Sequence, residues 1–589
     1  MRQAALFCIV TVAGAPRHGE PTLSQEWPRL LHLAAITVLA PLCCSAATAP
    51  PPEQPAPNVW VRIDKMYTSE HGNDVVLLKG VPHKISGTAY GPTDAVDVWL
   101  DGKLVARTPV TGTKGNMTDW PVWQAMLPPM PAGFGHTVNV TSATHNATSR
   151  SSYNASTGIH FGTVLLCSGQ SNMVLSVGPG HFDADNGTAE SLASSAFTGK
   201  ISLLSSYRGW QNVSNTTLPA FSAVCWYTGK AYYNTHMADG TEPLALMLGA
   251  ASGTPIEYWV RDEGDVAGCG NITGTCWNAT RVRDHFGRWT GMSHLYNNYI
   301  KPWAAAGLGV SAIIWDQAEA DVGCHVDQCP TPFLGGDPAY ACLQKAMIAG
   351  WRADFAPVSG QDPKRVHAAI PWVGVQLPGY GGPIVTGVQT SHLFEMRLGQ
   401  AAGVAGVEAA EVVPTYDLSC PQCPWGSIHP TDKQAVGARV ASRLGALVLQ
   451  APAGAGPAAV SATATPPPTS GSSSVTTVSI VFQKQGGGAT PIQLRLLPTR
   501  NCTLCCKAGS DLDVSIDGGN KWVAGNGPAV AGLGADGDTI KFEVTLGAAW
   551  EGPMLVRYTA TQVYPQCAIS DITKLPAYPF QLDVAVQLP

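Results

Sequence analysis

Apolar residues occur along this chain in short, nearly unbroken blocks of strand length. Between residues 160 and 450 they alternate with loops and helical patterns, and the clearest blocks span 163–166, 244–248, 311–315 and 372–377. Such runs are typical of strands that are buried on both faces of a parallel sheet. We therefore predict an α/β domain over residues 160–450, with helices on both faces of the sheet.

The last element of this domain is predicted to be an amphipathic helix that begins near Asp432. Val436, Val440, Leu444 and Val448 recur at every fourth position and form one apolar face. This face is expected to close the core of the domain.

Shorter, alternating patterns flank the α/β region. In residues 58–159 the segments 96–100 and 103–105 meet across Asp101-Gly102, which is a hairpin signal. Residues 475–589 carry similar β-rich runs. We predict sandwich-like β-modules at 58–159 and 475–589, and a linker at 451–474, where the sequence is rich in proline and serine.

The composition excludes several classes of protein. Only 13% of the 589 residues are charged and the net charge is -6, so the chain lacks the basic surface that nucleic acid requires. The 63 glycines and 46 prolines favour many turns rather than long helical bundles. No apolar segment after the N-terminal region has the length of a membrane span.

Residues 1–49 are predicted to be a signal peptide or an uncleaved anchor. The apolar stretch 30–46 ends in small residues and precedes a proline-rich segment. Ten Asn-X-Ser/Thr acceptors follow it: Asn116, Asn139, Asn146, Asn154, Asn186, Asn212, Asn215, Asn271, Asn278 and Asn501. We expect the secretory pathway, with an extracellular or a lysosomal or vacuolar location, and membrane contact only through an uncleaved anchor.

The cysteine pattern favours disulfides over a metal site. Two pairs have Cys-X-X-Cys spacing, Cys420 with Cys423 and Cys502 with Cys505. Cysteines in an oxidising compartment usually form disulfides, so we predict no metal and no cofactor. Three of the 16 cysteines lie in the leader, which leaves an odd number. Cys167, which continues a predicted strand, is the best candidate for a buried free thiol.

Reactive and small residues follow three of the predicted strands. Ser171, Gly253 and Gln317 each come after such a strand, and His429 directly precedes the final helix. The carboxyl ends of parallel strands meet at one edge of a sheet, so these residues are expected to converge there. A serine, a histidine and N–H donors are the parts that serine esterases need.

Four sequence blocks carry a resemblance to a known family. They are Gly169-Gln170-Ser171-Asn172-Met173, the 253–257 block Gly-Thr-Pro-Ile-Glu that leads to Trp259, Trp315-X-Gln317-X-Glu319, and Ile428-His429-Pro430. In this order they resemble sialate O-acetylesterase and its relatives within the SGNH hydrolases. The resemblance implies an SGNH-type, flavodoxin-like parallel sheet and a serine acetylesterase that acts on an O-acetylated carbohydrate.

The resemblance also implies roles for single residues. Ser171 would be the nucleophile, and His429 the general base and later the general acid. The amides of Ser171 and Gly253 and the side chain of Gln317 would form the oxyanion hole. Removing one such donor should slow such an enzyme without abolishing its activity.

This chain departs from the family pattern at two positions. Many SGNH hydrolases have an aspartate three residues before the catalytic histidine, where this chain has Gly426. A backbone carbonyl or Asp417 is then expected to orient the imidazole of His429. Ala318 stands where relatives commonly have glycine, and its Cβ would be costly if the loop requires a positive φ.

Glu319 and Trp259 are candidate substrate-binding residues, with a purely structural role as the alternative for each. Together, these observations predict a secreted serine carbohydrate O-acetylesterase that forms an acyl-enzyme on Ser171. Its expected substrate is O-acetylated sialic acid or a related sugar. The alternatives are an esterase of acetylated plant-type polysaccharide and a catalytically silent glycan-binding protein on the same scaffold.

Overall fold

We describe the fold from a computed structural model of the 589-residue chain. The structure describes residues 60–63, 75–91, 93–112, 121–143, 155–178, 182–206, 208–262, 264, 269, 282–283, 289–290, 292–324, 338–359, 367–381, 392–450, 456–465, 475–484, 492–499, 511–525, 537–546, 553–560, 564–565, 567–571 and 574–587. The predicted leader, 1–49, and the predicted Cys502–Cys505 pair lie outside these residues.

The strands are numbered in chain order. The first eight are β1 Trp60–Ile63, β2 Val75–Leu78, β3 His83–Tyr90, β4 Ala95–Leu100, β5 Lys103–Pro109, β6 Val122–Leu127, β7 Gly133–Ser142 and β8 Ala155–Gly169. The next eight are β9 Ile201–Ser205, β10 Gly209–Asn212, β11 Leu244–Ala250, β12 Val282–Arg283, β13 Trp289–Thr290, β14 Ala312–Asp316, β15 Trp372–Val375 and β16 Ala410–Val413. The remaining strands are β17 Pro457–Thr465, β18 Val475–Lys484, β19 Arg495–Pro498, β20 Leu512–Ser515, β21 Val523–Ala524, β22 Thr539–Thr545, β23 Leu555–Tyr558, β24 Cys567–Ser570 and β25 Phe580–Val586.

The helices lie between β8 and β17. They are α1 Ser171–Val174, α2 Gly187–Ala193, α3 Ala223–His236, α4 Lys301–Ala306, α5 Glu319–Cys324, α6 Pro338–Ser359, α7 Leu393–Val404 and α8 Lys433–Leu449. Short 3₁₀ turns span Ser194–Phe197, Leu218–Ala220, Ile256–Tyr258 and Tyr416–Leu418, and a π-turn spans Tyr296–Ile300. The predicted last helix is α8, and the Asp432 side chain accepts a hydrogen bond from the Ala435 amide at its start.

A central sheet has the strand order β10-β9-β11-β8-β14-β15-β16. All neighbours from β9 to β16 in this order run parallel, and β10 pairs with β9 antiparallel. The predicted α/β character is therefore confirmed. Because β8 lies between β11 and β14, the carboxyl ends of these three strands are adjacent at one edge of the sheet.

Alternate residues of β8 contribute to two separate hydrophobic clusters. Val164 and Leu166 belong to one cluster, and Leu165 and Cys167 belong to the other. This alternation follows from the period of two in a β-strand, and it accounts for the unbroken apolar run in the sequence. Helices α3 and α8 contribute to the cluster of Leu165, and α6 contributes to the cluster of Val164.

The amino-terminal half of β8 also pairs with strands of the preceding segment. β2 runs parallel to it, with Val75 opposite Ile159, and β7 runs antiparallel to it. β4 and β5 pair across Asp101 and Gly102, which both have positive φ, so the predicted hairpin is confirmed. Strands β1, β3 and β6 form a separate sheet.

The C-terminal strands form a sheet with the order β21-β20-β23-β25-β17-β18-β22, and β19 pairs with β24. Strand β17, Pro457–Thr465, lies within the segment 451–474, which the sequence predicted to be a linker. That prediction is wrong for these residues, because Ala462 and Ala464 alternate into the core and pair with β18. The small residues of β17 gave this segment the composition of a low-complexity linker, although neighbouring strands cover it.

Two disulfides bear on the site. Cys167 of β8 is bonded to Cys225 of α3, so the prediction that Cys167 is a free thiol is wrong. Its partner lies 58 residues away and approaches it only through tertiary packing. Cys420 is bonded to Cys423, which confirms the choice of a disulfide for this pair. Among the described helices, none is long and apolar enough to cross a membrane.

Candidate active site

Ser171 and His429 meet at the carboxyl edge of the central sheet. Ser171 is the first residue of α1, two residues after β8 ends, and His429 lies in the loop that precedes α8. The Nε2 atom of His429 lies 3.0 Å from the Oγ of Ser171. The sequence positions of the two residues differ by 258, and the sheet brings them to hydrogen-bonding distance.

The other imidazole nitrogen fixes the direction of this hydrogen bond. The Nδ1 atom of His429 lies 3.0 Å from the carbonyl oxygen of Trp425. A carbonyl oxygen can only accept, so Nδ1 carries the proton and the lone pair of Nε2 faces Ser171. The serine hydroxyl therefore donates to the histidine, which is the arrangement that a general base requires.

Asp417 does not orient His429, and this candidate assignment is wrong. Its two carboxylate oxygens accept hydrogen bonds of 2.7 and 2.6 Å from the guanidinium of Arg439. The bidentate pair binds Asp417 to α8, and the Trp425 carbonyl occupies the place that an acidic partner would take. Of the two predicted alternatives, the structure has the backbone carbonyl.

The glycine at position 426 is explained by the backbone of the histidine loop. Gly426 has a φ of +84°, in the left-handed region that favours glycine over aspartate. Its amide donates to the carbonyl of Cys423, and its own carbonyl accepts from the amide of His429, both at 3.0 Å. The two turns and the Cys420–Cys423 disulfide hold the loop that carries His429.

Gln317 is fully buried, and its side-chain N–H groups lie against internal acceptors. Its Nε2 lies 3.0 Å from the carbonyl oxygen of Thr254, 3.1 Å from Oε1 of Gln170 and 2.5 Å from a carboxylate oxygen of Asp321. Two N–H groups shared among three internal acceptors leave none for substrate. The oxyanion role of Gln317 is therefore corrected: this residue ties the loops after β8, β11 and β14 together.

Two backbone amides remain candidates for the predicted oxyanion donors. Within the described part of the chain, the N–H groups of Ser171 and Gly253 have no hydrogen-bond acceptor. Gly253 has a φ of +66°, and the amide of Ala251 donates to the carbonyl of Gly169 at 3.1 Å, which joins the two loops. These amides are free to stabilise a developing negative charge.

A buried polar cluster links the serine and histidine loops. Asn172 directly follows Ser171. Its side-chain nitrogen, Nδ2, donates to a carboxylate oxygen of Glu319 and, at 3.0 Å, to the carbonyl oxygen of Ile428. The Nζ of Lys433 donates to Asn172 Oδ1 at 2.6 Å. Ile428 precedes His429, so Asn172 connects the segment of Ser171 to the segment of His429.

The buried position of Glu319 beside Asn172 excludes contact between its side chain and a substrate. Its side chain is 1% exposed and is bonded to Asn172, so the predicted substrate-binding role is wrong. Glu319 begins α5, and its carboxylate turns inward toward Asn172.

The acids of this cluster bind protons more tightly than usual. Burial raises the pKa of Glu319 to about 7, and the nearby Asp316 adds to this rise. Burial also raises the pKa of Asp316 to about 6, although Lys433 opposes the rise. The pKa of Lys433 is lowered by burial, against the pull of the two carboxylates. The cluster therefore carries less charge near neutral pH than its composition suggests.

Trp259 is also internal. Its side chain is fully buried, its indole N–H donates to Thr254 Oγ1 at 3.1 Å, and its ring contacts Trp315 and Trp351. The predicted role in stacking on a sugar is wrong for this residue, because burial in the tryptophan cluster leaves no accessible ring face.

Ala318 has a φ of +141° and is fully buried, so the loop has the positive φ at which the Cβ of alanine is costly. We expect Ala318→Gly to raise the free energy of unfolding by about 1 kcal/mol, because relief of ~1–3 kcal/mol of strain exceeds the entropic cost of glycine. Ala312→Gly, at a buried position in β14, is the control and should lower it by about 1 kcal/mol. Urea denaturation measures the free energy of unfolding of both variants. An equal decrease in the two variants would contradict the inference that the backbone at Ala318 is strained.

The pKa of His429 is lowered, chiefly by burial and further by the charge of Lys433, while the Trp425 carbonyl opposes the change. Only the neutral imidazole acts as a base, so the activity should fall with acid at a midpoint below the usual histidine value of 6.5. Measurement of kcat/KM for an acetyl ester across the pH range, with circular dichroism to verify folding, tests this. A midpoint above that value would contradict the description of the site.

The sequence motif around Ser171 includes Asn172, but the sequence alone assigned no role to Asn172 or Lys433. Asn172 directly follows Ser171 in the sequence, and Lys433 is the first residue of α8, close to His429. These positions are the signals that the sequence offered. Among the described residues, no group of three or more His, Cys, Asp or Glu side chains could hold a metal ion.

The chain is similar to curated proteins named sialate O-acetylesterase. It is 28% identical to the Rattus norvegicus protein over 410 residues, which cover 60% of this chain and 67% of the rat protein. It is 27% identical to the Homo sapiens protein over 417 residues, which cover 65% of this chain and 70% of the human protein. No family model matches the chain.

A solved structure shares the fold. It is a carbohydrate acetylesterase from Xanthomonas citri, with a TM-score of 0.62 and 19% identity over 89% of this chain and 99% of that chain. The resemblance that the four sequence blocks indicate is confirmed, and the prediction of an esterase is confirmed at the level of class.

Proposed function

We propose that this chain, similar in sequence to sialate O-acetylesterases, is a serine carbohydrate O-acetylesterase. The observation that carries the proposal is the 3.0 Å contact between Ser171 Oγ and His429 Nε2, with the Trp425 carbonyl fixing the proton on Nδ1. The preferred substrate is an O-acetyl group on sialic acid or on a related sugar. An esterase of acetylated plant-type polysaccharide is the neighbouring alternative.

In the acylation half-reaction, Ser171 Oγ attacks the carbonyl carbon of the acetyl ester while its proton moves to His429 Nε2. The tetrahedral intermediate places its oxyanion near the amides of Ser171 and Gly253. Each donor of this kind is worth about 2.7–4 kcal/mol in the transition state. The intermediate then collapses, the sugar oxygen takes the proton from His429, and the acetyl group stays on Ser171.

In the deacylation half-reaction, His429 accepts a proton from water as the water oxygen attacks the acetyl carbonyl. Collapse of the second intermediate releases acetate and returns the proton from His429 to Ser171. A neutral carbonyl at Nδ1 stabilises the transient imidazolium less than a carboxylate would, so the dyad depends on accurate placement of the ring.

The domain organisation and the cellular location are part of the same proposal. We assign residues 160–450 to an SGNH-type catalytic domain, with sandwich-like β-modules at 58–159 and at the C-terminus, where the module begins with β17 rather than at residue 475. The Cys167–Cys225 and Cys420–Cys423 disulfides support an oxidising compartment and hence the secretory pathway. The partner of the protein is its acetylated carbohydrate substrate, and no cofactor takes part.

Acetate release from a panel of O-acetylated sugars tests the proposal. The panel includes O-acetylated sialic acid and an acetylated polysaccharide fragment, and the wild type is compared with Ser171→Ala. We expect the wild type to release acetate from at least one sugar, and the variant to release none above background. A folded wild type that binds these sugars but releases no acetate would favour the glycan-binding alternative.

A further inference from the structure

The loop before His429 carries an exposed tryptophan. The side chain of Trp425 is 47% exposed, whereas the other tryptophans whose side chains the structure describes are buried or half-buried. An indole offers one of the largest apolar surfaces of any side chain, and leaving it in water has a cost. The hydrolytic steps use only the backbone carbonyl of Trp425, so its ring has no assigned role.

The backbone of Trp425 is connected to the reacting atoms by a short chain of contacts. The carbonyl of Trp425 accepts from His429 Nδ1, and the same imidazole contacts Ser171 Oγ. The backbone of the residue that carries the indole is thus linked to Ser171 through one imidazole ring and two hydrogen bonds. A sugar whose acetyl group reaches Ser171 is large enough to extend over the neighbouring residue.

The position of Trp425 is fixed before any ligand binds. The Cys420–Cys423 disulfide precedes it, and Gly426 forms a turn immediately after it. On one side its ring meets the buried ring of Phe182, with centroids 6.1 Å apart. A side chain held in this way loses little conformational entropy when a ligand packs on its open face.

We propose that the indole of Trp425 is a sugar-binding platform, on which the pyranose ring of the acetylated substrate packs through its C–H face. The inference rests on the proposed esterase function and adds a residue that selects sugar esters over small acetyl esters. The negative face of the indole attracts the weakly positive C–H groups of the sugar, and their contact removes apolar surface from water.

Steady-state kinetics of Trp425→Ala and Trp425→Phe on two substrates test the platform. One substrate is an O-acetylated sugar that the wild type hydrolyses, and the other is ethyl acetate, which has no ring to stack. In Trp425→Ala we expect the KM for the sugar to rise about tenfold, and the ratio of kcat/KM for the sugar to kcat/KM for ethyl acetate to fall about tenfold, because only the sugar packs on the indole. Trp425→Phe keeps an aromatic face and should restore most of the sugar affinity.

The matched control is Tyr90→Ala, which removes an exposed aromatic ring at the end of β3. This variant should leave the kinetic constants for both substrates at their wild-type values. An equal loss on both substrates in Trp425→Ala would overturn the platform, because it would mean that the His429 loop is disturbed, and an unchanged sugar KM would overturn it as well. If the wild type hydrolyses ethyl acetate but no acetylated sugar, the proposed carbohydrate function itself fails.

Discussion

Replacing either Ser171 or His429 by alanine should lower kcat for an acetyl ester by about 10⁴-fold or more, since each variant removes a group that takes part in bond making. Ser171→Ala removes the attacking oxygen, and His429→Ala removes the base that faces it at 3.0 Å. The two residues act as one unit, so the double variant should be no slower than the slower single variant. Acetate release under single-turnover conditions measures all three.

Ser168→Ala is the matched control for this result. Ser168 lies in the same segment as Ser171 and is fully buried, but its hydroxyl donates to the carbonyl of Gly249 at 2.6 Å. Its loss should lower the free energy of unfolding by about 1 kcal/mol and leave kcat within about threefold. If Ser171→Ala behaved like Ser168→Ala, the nucleophile would have to be sought elsewhere.

Asn172→Ala is expected to lower kcat by about 10²-fold with little change in KM, because a small displacement of a catalytic group has an effect of this size. The substitution breaks the link from the serine segment to the Ile428 carbonyl, and it leaves Lys433 and Glu319 without their shared partner. Unpaired buried groups of this kind should also lower the free energy of unfolding by about 2–4 kcal/mol. Steady-state kinetics and urea denaturation measure the two effects.

Gln344→Ala separates a loss of positioning from a loss of stability. Gln344 is a buried amide in α6 at 1% exposure, beside Gly374 and Gly403. We expect this variant to be destabilised while its kcat stays within about threefold of the wild type. If the kcat of Asn172→Ala also stayed within about threefold of the wild type, this would contradict the view that Asn172 holds the base in place.

The sequence predicted those parts of the site that depend on local pattern. The apolar run before Ser171 predicted a buried strand, and the four-residue period after Asp432 predicted α8. Parallel strand ends share an edge, which is why residues 258 apart could be expected to meet. The positive φ of Ala318 and the backbone carbonyl at His429 were both among the stated alternatives.

The failed predictions concern side chains whose partners are set by tertiary packing. Glu319 and Gln317 point inward because Asn172 and Gln170 meet them across the sheet edge. Asp417 pairs with Arg439, which lies 22 residues away on α8. No local pattern shows these partners, since each pair joins elements that come together only in the folded chain.

Labelling with a fluorophosphonate, followed by peptide mass spectrometry, tests the central claim most directly. This reagent forms a stable adduct with a serine that an adjacent base activates. We predict a single adduct on the peptide that contains Ser171, formed more slowly when an O-acetylated sugar is present and absent in His429→Ala. A folded wild type that gives no adduct, or one whose adduct lies on another serine, would contradict the account.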